Sequence, residues 1–413
     1  MPDSSAPLTT GTVAAYLASV PGAPAVPADA AVTELSDGNL NLVFRVGDGL
    51  SPGVIVKQAL PYVRVDPSWP MTPERARHEA EALAAHGAVS PEHVPAVHAF
   101  DPARFVIVME DLSDHVVWRT ALCAGQRHDG VAGDLGRYLA RTAFHTSVLG
   151  LDPVEVKGRV ARAVNPQLCQ ITEDLVFSEP FVEHEHNHVL PANEPDVAEL
   201  AADPVVRTEM GRAKLAFMTR AEALLHGDLH TSSVMVRPAA NGLPRSTRAI
   251  DSEFAFYGPV GFDVGMLWGN LWIAAARSLA LGRSEHAAWC LTLPGECWRA
   301  FEAELRALWP QRYDPRVLGD DVLEALLRQV AHDAVAVAAA EGARRVIGFA
   351  KAADLETLPE ASRAGAARGV LRSARLLARA SAEDDRPDPD ELSARVGEVL
   401  ADAVGASAPG GTS

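Results

Sequence analysis

The sequence is short of cysteine, of basic residues and of long apolar runs, and each shortage removes a class of protein. Only four cysteines occur in 413 residues, Cys123, Cys169, Cys290 and Cys297. None forms a Cys-x-x-Cys pair, so neither a zinc knuckle nor a disulfide framework is suggested, and a reducing cytoplasm suits them. Lys and Arg total 37 against 54 Asp and Glu, a net charge of −17 that repels nucleic acid and anionic membrane alike. No apolar stretch reaches membrane-spanning length, and the opening MPDSSAPLTTGTVAAYL has no basic segment ahead of an apolar one, so no signal peptide is expected. Partners are therefore expected among small molecules, with no nucleic acid and no membrane.

What is present is an ordinary globular balance, 48% hydrophobic and 22% charged, on a chain too long for one compact core. A short helix is expected from Thr10 to before Pro21. From Ala31 the pattern becomes strand-like: AVTEL, NLVFRV and GVIVKQA, with turn residues Ser36-Asp37-Gly38-Asn39 between the first two. Residues 73–86 read as a helix with Pro73 near its start, and 104–109 as another strand. Beyond residue 112 the segments 130–150, 195–224, 262–284, 296–308, 319–342 and 360–382 are Ala/Leu-rich with helical period, interrupted by a strand-rich island at 224–256. The expected fold is α+β and bilobal: a small antiparallel β-sheet lobe over 1–112, a large helical lobe over 113–382, and an acidic tail over 383–413 with room for one more helix. A ligand is expected between the lobes.

The chemistry concentrates in a few places. LLHGDLH (224–230) sets one carboxylate, Asp228, at the mouth of a loop that runs into an apolar strand. Transfer of a phosphoryl group needs such a carboxylate to orient the attacking hydroxyl and take its proton; His226 is expected to hold the loop. A second short strand ends in Asp251-Ser252-Glu253, 251 − 228 = 23 residues later, enough for a hairpin that brings the carboxylates to one end. On an extended segment Asp251 and Glu253 point the same way, as hard oxygen ligands for Mg²⁺ would. Lys57 is the one basic residue in an apolar strand and needs an anion, with Glu79 or Glu81 of the following helix as its carboxylate partner and Glu79 the preferred one. The Asp37–Asn41 turn offers amides to phosphates, Asn39 among them. Met109-Glu110-Asp111-Leu112 falls at the lobe boundary, where Glu110 and Leu112 can present backbone groups to an adenine edge. Each of these has a plainer account, respectively a capped surface loop, a solvated turn, a snorkelling lysine, a β-turn and a linker, and their order along the chain is what tells against it.

That order resembles the protein-kinase-like phosphotransferases, and His-Gly-Asp in place of His-Arg-Asp points to their aminoglycoside- and choline-kinase branch. The segments DGNLNLVFRV (37–46), VKQALPYVRV (56–65), SWP (68–70), MEDL (109–112), HGDLHT (226–231), DSEFAFYGPVGFDVG (251–265) and EGARRVIGFA (341–350) are more closely similar to the S-methyl-5-thioribose kinase family, with the likeness running from about residue 30 to 380. The resemblance implies transfer of phosphate from ATP-Mg²⁺ to the 1-hydroxyl of a methylthioribose sugar in methionine salvage. It implies Asp228 as the catalytic aspartate, which also touches the sugar, and Asp251 with Glu253 as the metal pair. Arg344 and Arg345 would be the twin arginines at the sugar site, and a homodimer is implied too. Trp69 is a further candidate for covering the sugar, with a core tryptophan as the alternative. Two adjacent arginines in an Ala-rich helix agree, because they are costly to hold together without an anion between them. Ser232 and Ser252 stand where the family pattern has Gly and Pro, and neither change removes a ligand. Two other readings stay open: a related kinase for an aminoglycoside or nucleoside-derived acceptor, and a pseudokinase scaffold, against which the intact Lys57, Asp228, Asp251 and Glu253 count.

Overall fold

The computed structural model describes residues 6–27, 29–35, 40–47, 53–64, 66–240, 242–384 and 387–406. The strand-like runs of the first hundred residues form one antiparallel sheet in the order Ala31–Glu34, Asn41–Gly47, Val54–Ala59, Val106–Glu110, Val97–Asp101. Period-two alternation splits it into two faces. Phe44, Val46, Val54, Val56, Val106 and Val108 pack against Leu8, Val13 and Leu17 of the N-terminal segment, whose helix is the single turn Val13–Leu17. Ala59, Ile107 and Met109 point the other way, into the main core with Ala76, Ala80 and Leu83 of helix Arg75–Val89. Lys57 lies on that inner face, which is why it meets the helix rather than water.

The second lobe is built on helices Val131–His145, Gly261–Ala280, Ser284–Leu308, Asp320–Ile347 and Glu360–Glu383. Gly261, Gly265 and Gly269 recur every four residues along one helix face. A Cβ at Gly265 would lie 2.4 Å from the carbonyl oxygen of Ala334, and one at Gly261 2.7 Å from that of Val330. The absence of side chains there lets Gly261–Ala280 and Asp320–Ile347 approach backbone to backbone. Asp263 and Asn270 on one helix, and Glu341, Arg344 and Arg345 on the other, are thereby brought beside the same cleft.

Several element boundaries differ from expectation. The helical stretch 195–224 is two helices, Glu194–Ala202 and Pro204–Thr219, because Asp203 caps the second through the Val205 amide at 3.0 Å and Pro204 starts it. Helices Pro153–Arg162 and Pro166–Leu175, each with proline at its start, lie between the expected helical segments 130–150 and 195–224. The acidic tail carries helix Pro389–Gly405, capped by Asp388. Its Leu392, Val396 and Leu400 are buried in the main core, and the Trp272 indole donates to Ser393 Oγ at 3.0 Å. Among the described residues no helix is long and apolar enough to cross a membrane.

Candidate active site

The loop that carries Asp228 is held from both sides. Strand Ala223–Leu224 pairs with Tyr257–Gly258, and Gly227 then turns at φ 85°, with the Phe254 carbonyl where a Cβ would go. Only glycine accepts both conditions. The Asp263 carboxylate takes the amides of His226 at 2.7 Å and Gly227 at 3.0 Å. Burial raises the Asp263 carboxyl above the ordinary range, against the pull of His226 and those amides. His226 Nε2 lies 2.8 Å from the Ile250 carbonyl, which can only accept, so Nδ1 is left to accept from the Asp228 amide at 3.3 Å.

Two groups flank the Asp228 side chain itself. Arg344 Nη2 donates to Oδ1 at 3.4 Å, and His230 Nε2 is 3.4 Å from Oδ2. His230 Nδ1 accepts from the Ser233 amide at 3.1 Å, which leaves the proton on Nε2 and aims it at Asp228. Burial, then the charges of Arg345 and Arg119, hold this imidazole well below its usual range, so it is neutral.

At the other end of the cleft, Lys57 Nζ meets Glu79 at 2.7 Å and also bonds Asp251. Glu81 points to the exposed face instead, toward Arg77 at 3.2 Å. Burial opposes the Lys57 charge, but Asp251 and Glu79 outweigh it and its pKa is raised. Burial likewise opposes ionisation of Asp251, yet the Lys57 ammonium holds that carboxyl below the carboxylate range. Glu79 and Glu253 go the other way, raised chiefly by burial.

The extended geometry expected for Asp251-Ser252-Glu253 is not what is found. The strand ends at Ala249, and Asp251 sits at φ 69°, a left-handed conformation that turns it into the cleft while Glu253 goes inward. Glu253 Oε2 accepts from Asn41 Nδ2 at 2.9 Å and pairs with the fully buried Arg75 at 3.2 Å. Carboxylate oxygens of Glu79, Asp251 and Glu253 nevertheless lie within 4.8 Å of one another. Because Glu253 Oε2 and Asp251 Oδ1 are engaged, Glu253 Oε1 and Asp251 Oδ2 are the oxygens left for a hard cation, and such a donor set fits Mg²⁺.

The anion between the twin arginines is supplied by the chain. Glu341, wholly buried, accepts from Arg345 Nε at 2.7 Å and also from Arg344, and Asn270 donates to it at 2.7 Å. Arg119 completes the cluster, bonded to Asn270, to Thr231 Oγ1 at 3.0 Å and to Asp354 at 3.2 Å. Both arginines are thus fixed with part of their charge neutralised, and Arg344 alone reaches Asp228.

The remaining candidates are more peripheral. The Glu110 amide donates to the Ala96 carbonyl at 2.9 Å and its carboxylate takes the Ala96 amide at 3.0 Å, while the Leu112 carbonyl accepts from His115 at 2.9 Å. Asp111 between them binds Arg45 at 2.7 Å and the Gly53 amide at 2.9 Å. Trp69, on strand Asp66–Pro70, reaches across the lobes to Phe349, ring centroids 5.7 Å apart. Asn39 lies outside the described residues. Arg75, Asn41, His230 and Glu341 were not singled out from sequence. A signal existed for two of them: Arg75 precedes Glu79 by one helical turn, and Glu341 precedes the twin arginines by three and four residues.

A model described as the phosphotransferase enzyme family matches residues 31–299. A methylthioribose kinase from Pectobacterium carotovorum is 43% identical over 379 residues, 89% of this chain and 92% of that protein. One from Yersinia enterocolitica is 42% identical over 88% of this chain and 91% of its own, and one from Cronobacter sakazakii 41% over 85% and 88%. Among solved structures, a choline/ethanolamine kinase family protein from Mesorhizobium loti covers 95% of this chain and 99% of its own at 16% identity and a TM-score of 0.42. The chain belongs to the phosphotransferase enzyme family and, within it, to the group whose members are methylthioribose kinases.

Proposed function

We propose that the protein transfers the γ-phosphate of ATP to the 1-hydroxyl of S-methyl-5-thioribose, as a step of methionine salvage in the cytoplasm, and that it works as a homodimer. The observation that carries the chemistry is the placing of Asp228 beside a fixed guanidinium, Arg344, in one cleft with Lys57, Asp251 and Glu253. The substrate assignment draws on the relatives' names.

Asp228 orients the acceptor hydroxyl and takes its proton as the new bond to phosphorus forms. Its oxygens are held by Arg344 and His230, so the carboxylate is already aimed before substrate arrives. Lys57, fixed by Glu79, steadies the α- and β-phosphates; Asp251 and Glu253 would hold Mg²⁺, which neutralises phosphate charge. Arg344 meets the charge developing on the transferred group, and Arg345 holds Glu341 so that Arg344 stays in place. Glu110 and Leu112 are proposed to present backbone groups to adenine, Asn39 an amide to phosphate, and Trp69 with Phe349 a cover for the sugar.

The test is ADP release in the presence of Mg²⁺ with methylthioribose, ribose, a nucleoside and an aminoglycoside as separate acceptors. Rapid turnover on methylthioribose with a 1-phosphate product is expected. Turnover on another acceptor alone would retain the phosphotransfer chemistry and discard the substrate.

A further inference from the structure

The segment VEHEHNHV (182–189) alternates its histidines with acidic residues, and the fold uses that alternation. Glu183 and Glu185 are exposed, whereas His184 and His186 turn back together onto Glu179. His186 Nδ1 is 2.8 Å and His184 Nδ1 3.5 Å from the same oxygen, Glu179 Oε2, and the two imidazoles meet edge to face at 4.6 Å. One ligand atom from each of the three side chains lies within 4.8 Å of the others.

The scaffold under these side chains is fixed. Asn187 Nδ2 donates to the carbonyls of Glu179 at 2.7 Å and Val182 at 2.9 Å, closing the loop on itself. The His188 amide donates to the Ile347 carbonyl at 2.9 Å, and Lys351 bridges His188 to the same helix end. The loop is thereby stapled to the C-terminus of helix Asp320–Ile347. None of the three side chains serves the phosphotransfer described above.

We propose that Glu179, His184 and His186 form a second metal site, for a borderline divalent cation such as Zn²⁺. Two imidazoles and one carboxylate suit Zn²⁺, Ni²⁺ or Co²⁺ and do not suit Mg²⁺, which wants oxygen ligands. Ligands at ordinary zinc bond lengths in a tetrahedral arrangement stand about 3.4 Å apart, which the observed 2.8 and 3.5 Å bracket; His184 Nδ1 now accepts the His186 amide at 3.2 Å and would have to release it, or turn Nε2 to the ion. Three protein ligands leave one position open. The site borders the cleft, since the His186 ring lies 5.5 Å from that of Phe349, which in turn faces Trp69. A bound ion would lock the loop against the helix end that carries Arg344 and Arg345.

The experiment is calorimetric titration of the untagged full chain with Zn²⁺ in excess Mg²⁺, without ATP or acceptor, so its outcome is independent of the kinase assignment. One equivalent is expected to bind, with affinity at least tenfold weaker in Glu179→Gln and in His186→Asn. Co²⁺ substitution should give visible d–d bands without a thiolate charge-transfer band, which reads the wild-type ligands even if a variant folds poorly. No binding by the wild type, isotherms in both variants unchanged from the wild type, or a thiolate band would overturn the site.

Discussion

Two short carboxylate segments, at Asp228 and at Asp251 to Glu253, divide one job at the residue scale. Asp228 is partly open to the cleft and flanked by donors, which suits the proposed role of taking a proton from substrate. Glu253 is buried and spends one oxygen on Arg75 and Asn41, so its position is set by the fold before any ion arrives. Replacing Asp228 with Asn keeps the shape and, through Oδ1, the Arg344 contact; it removes the proton acceptor and turns an amide N–H toward the His230 donor. The expected result is a kcat lower by roughly two to four orders of magnitude with nucleotide affinity retained, measured by steady-state turnover beside ADP or ATP titration. A variant that loses nucleotide binding or unfolds would remove Asp228 from the catalytic role. Glu341 teaches the reverse lesson: a carboxylate in the active-site wall can be wholly structural, present because two guanidinium groups cannot be buried side by side without it.

Among the elements, helix Arg75–Val89 links the lobes and carries the clearest pH dependence. His86 donates from Nε2 to the Leu224 carbonyl at 3.1 Å and accepts the Tyr138 hydroxyl at 2.8 Å, tying the helix to the strand that leads into the Asp228 loop. Burial pushes His86 down to about 4, and burial with Arg77 pushes His78 down to about 4 as well. Both are therefore neutral in the folded chain. As pH falls below about 6.5 the unfolded chain takes up protons that the folded chain refuses, so stability is full above that value and drains between about 6.5 and 4. Each histidine contributes a slope of up to ~1.4 kcal/mol per pH unit in that window. In urea unfolding between about pH 6 and 4.5, His86→Gln should flatten the slope by about one histidine's share; an unchanged slope would mean that His86 is protonated in the folded state. How legible these elements were follows from where their signals lie. The strands Asn41–Gly47 and Val54–Ala59 and helix Arg75–Val89 announce themselves because alternation, turn residues and helical period are local. Lys57 stood out because a charge in an apolar strand has few explanations. The left-handed turn at Asp251 did not, since Ile250 and Phe254 around it suggest an unbroken strand. Nor did the Arg75–Glu253 pair, whose partners are 178 residues apart in sequence (253 − 75) and meet only through the tertiary fold.

For the whole molecule, the site is also the seam between the lobes. Asn41, Lys57, Arg75 and Glu79 come from the sheet lobe, Asp251 and Glu253 from the helical one, and the contacts Asn41–Glu253, Lys57–Asp251 and Arg75–Glu253 cross the cleft. The Lys57 ammonium bonds Asp251, so under the proposed function Mg²⁺ and ATP would redistribute those charges rather than fill an inert hole. A ligand that binds only the folded chain adds stability by mass action, about 2.7 kcal/mol at a hundred times its Kd. Glu253→Gln separates the structural from the ligand-binding share of this arrangement. The amide still accepts from Asn41 and Arg75, but a buried Arg75 loses its nearest countercharge, so the free protein should lose stability, with about 3–5 kcal/mol as the upper bound for an unpaired buried ion. If Glu253 also supplies a metal oxygen, the extra stabilisation that Mg²⁺ adds to ATP should shrink in the variant, while stabilisation by ATP in chelator stays as in the wild type. Thermal unfolding with ATP plus Mg²⁺ and with ATP plus chelator separates the two. An undiminished magnesium increment would leave Glu253 as an anchor for Arg75 alone and hand the cation to Asp251.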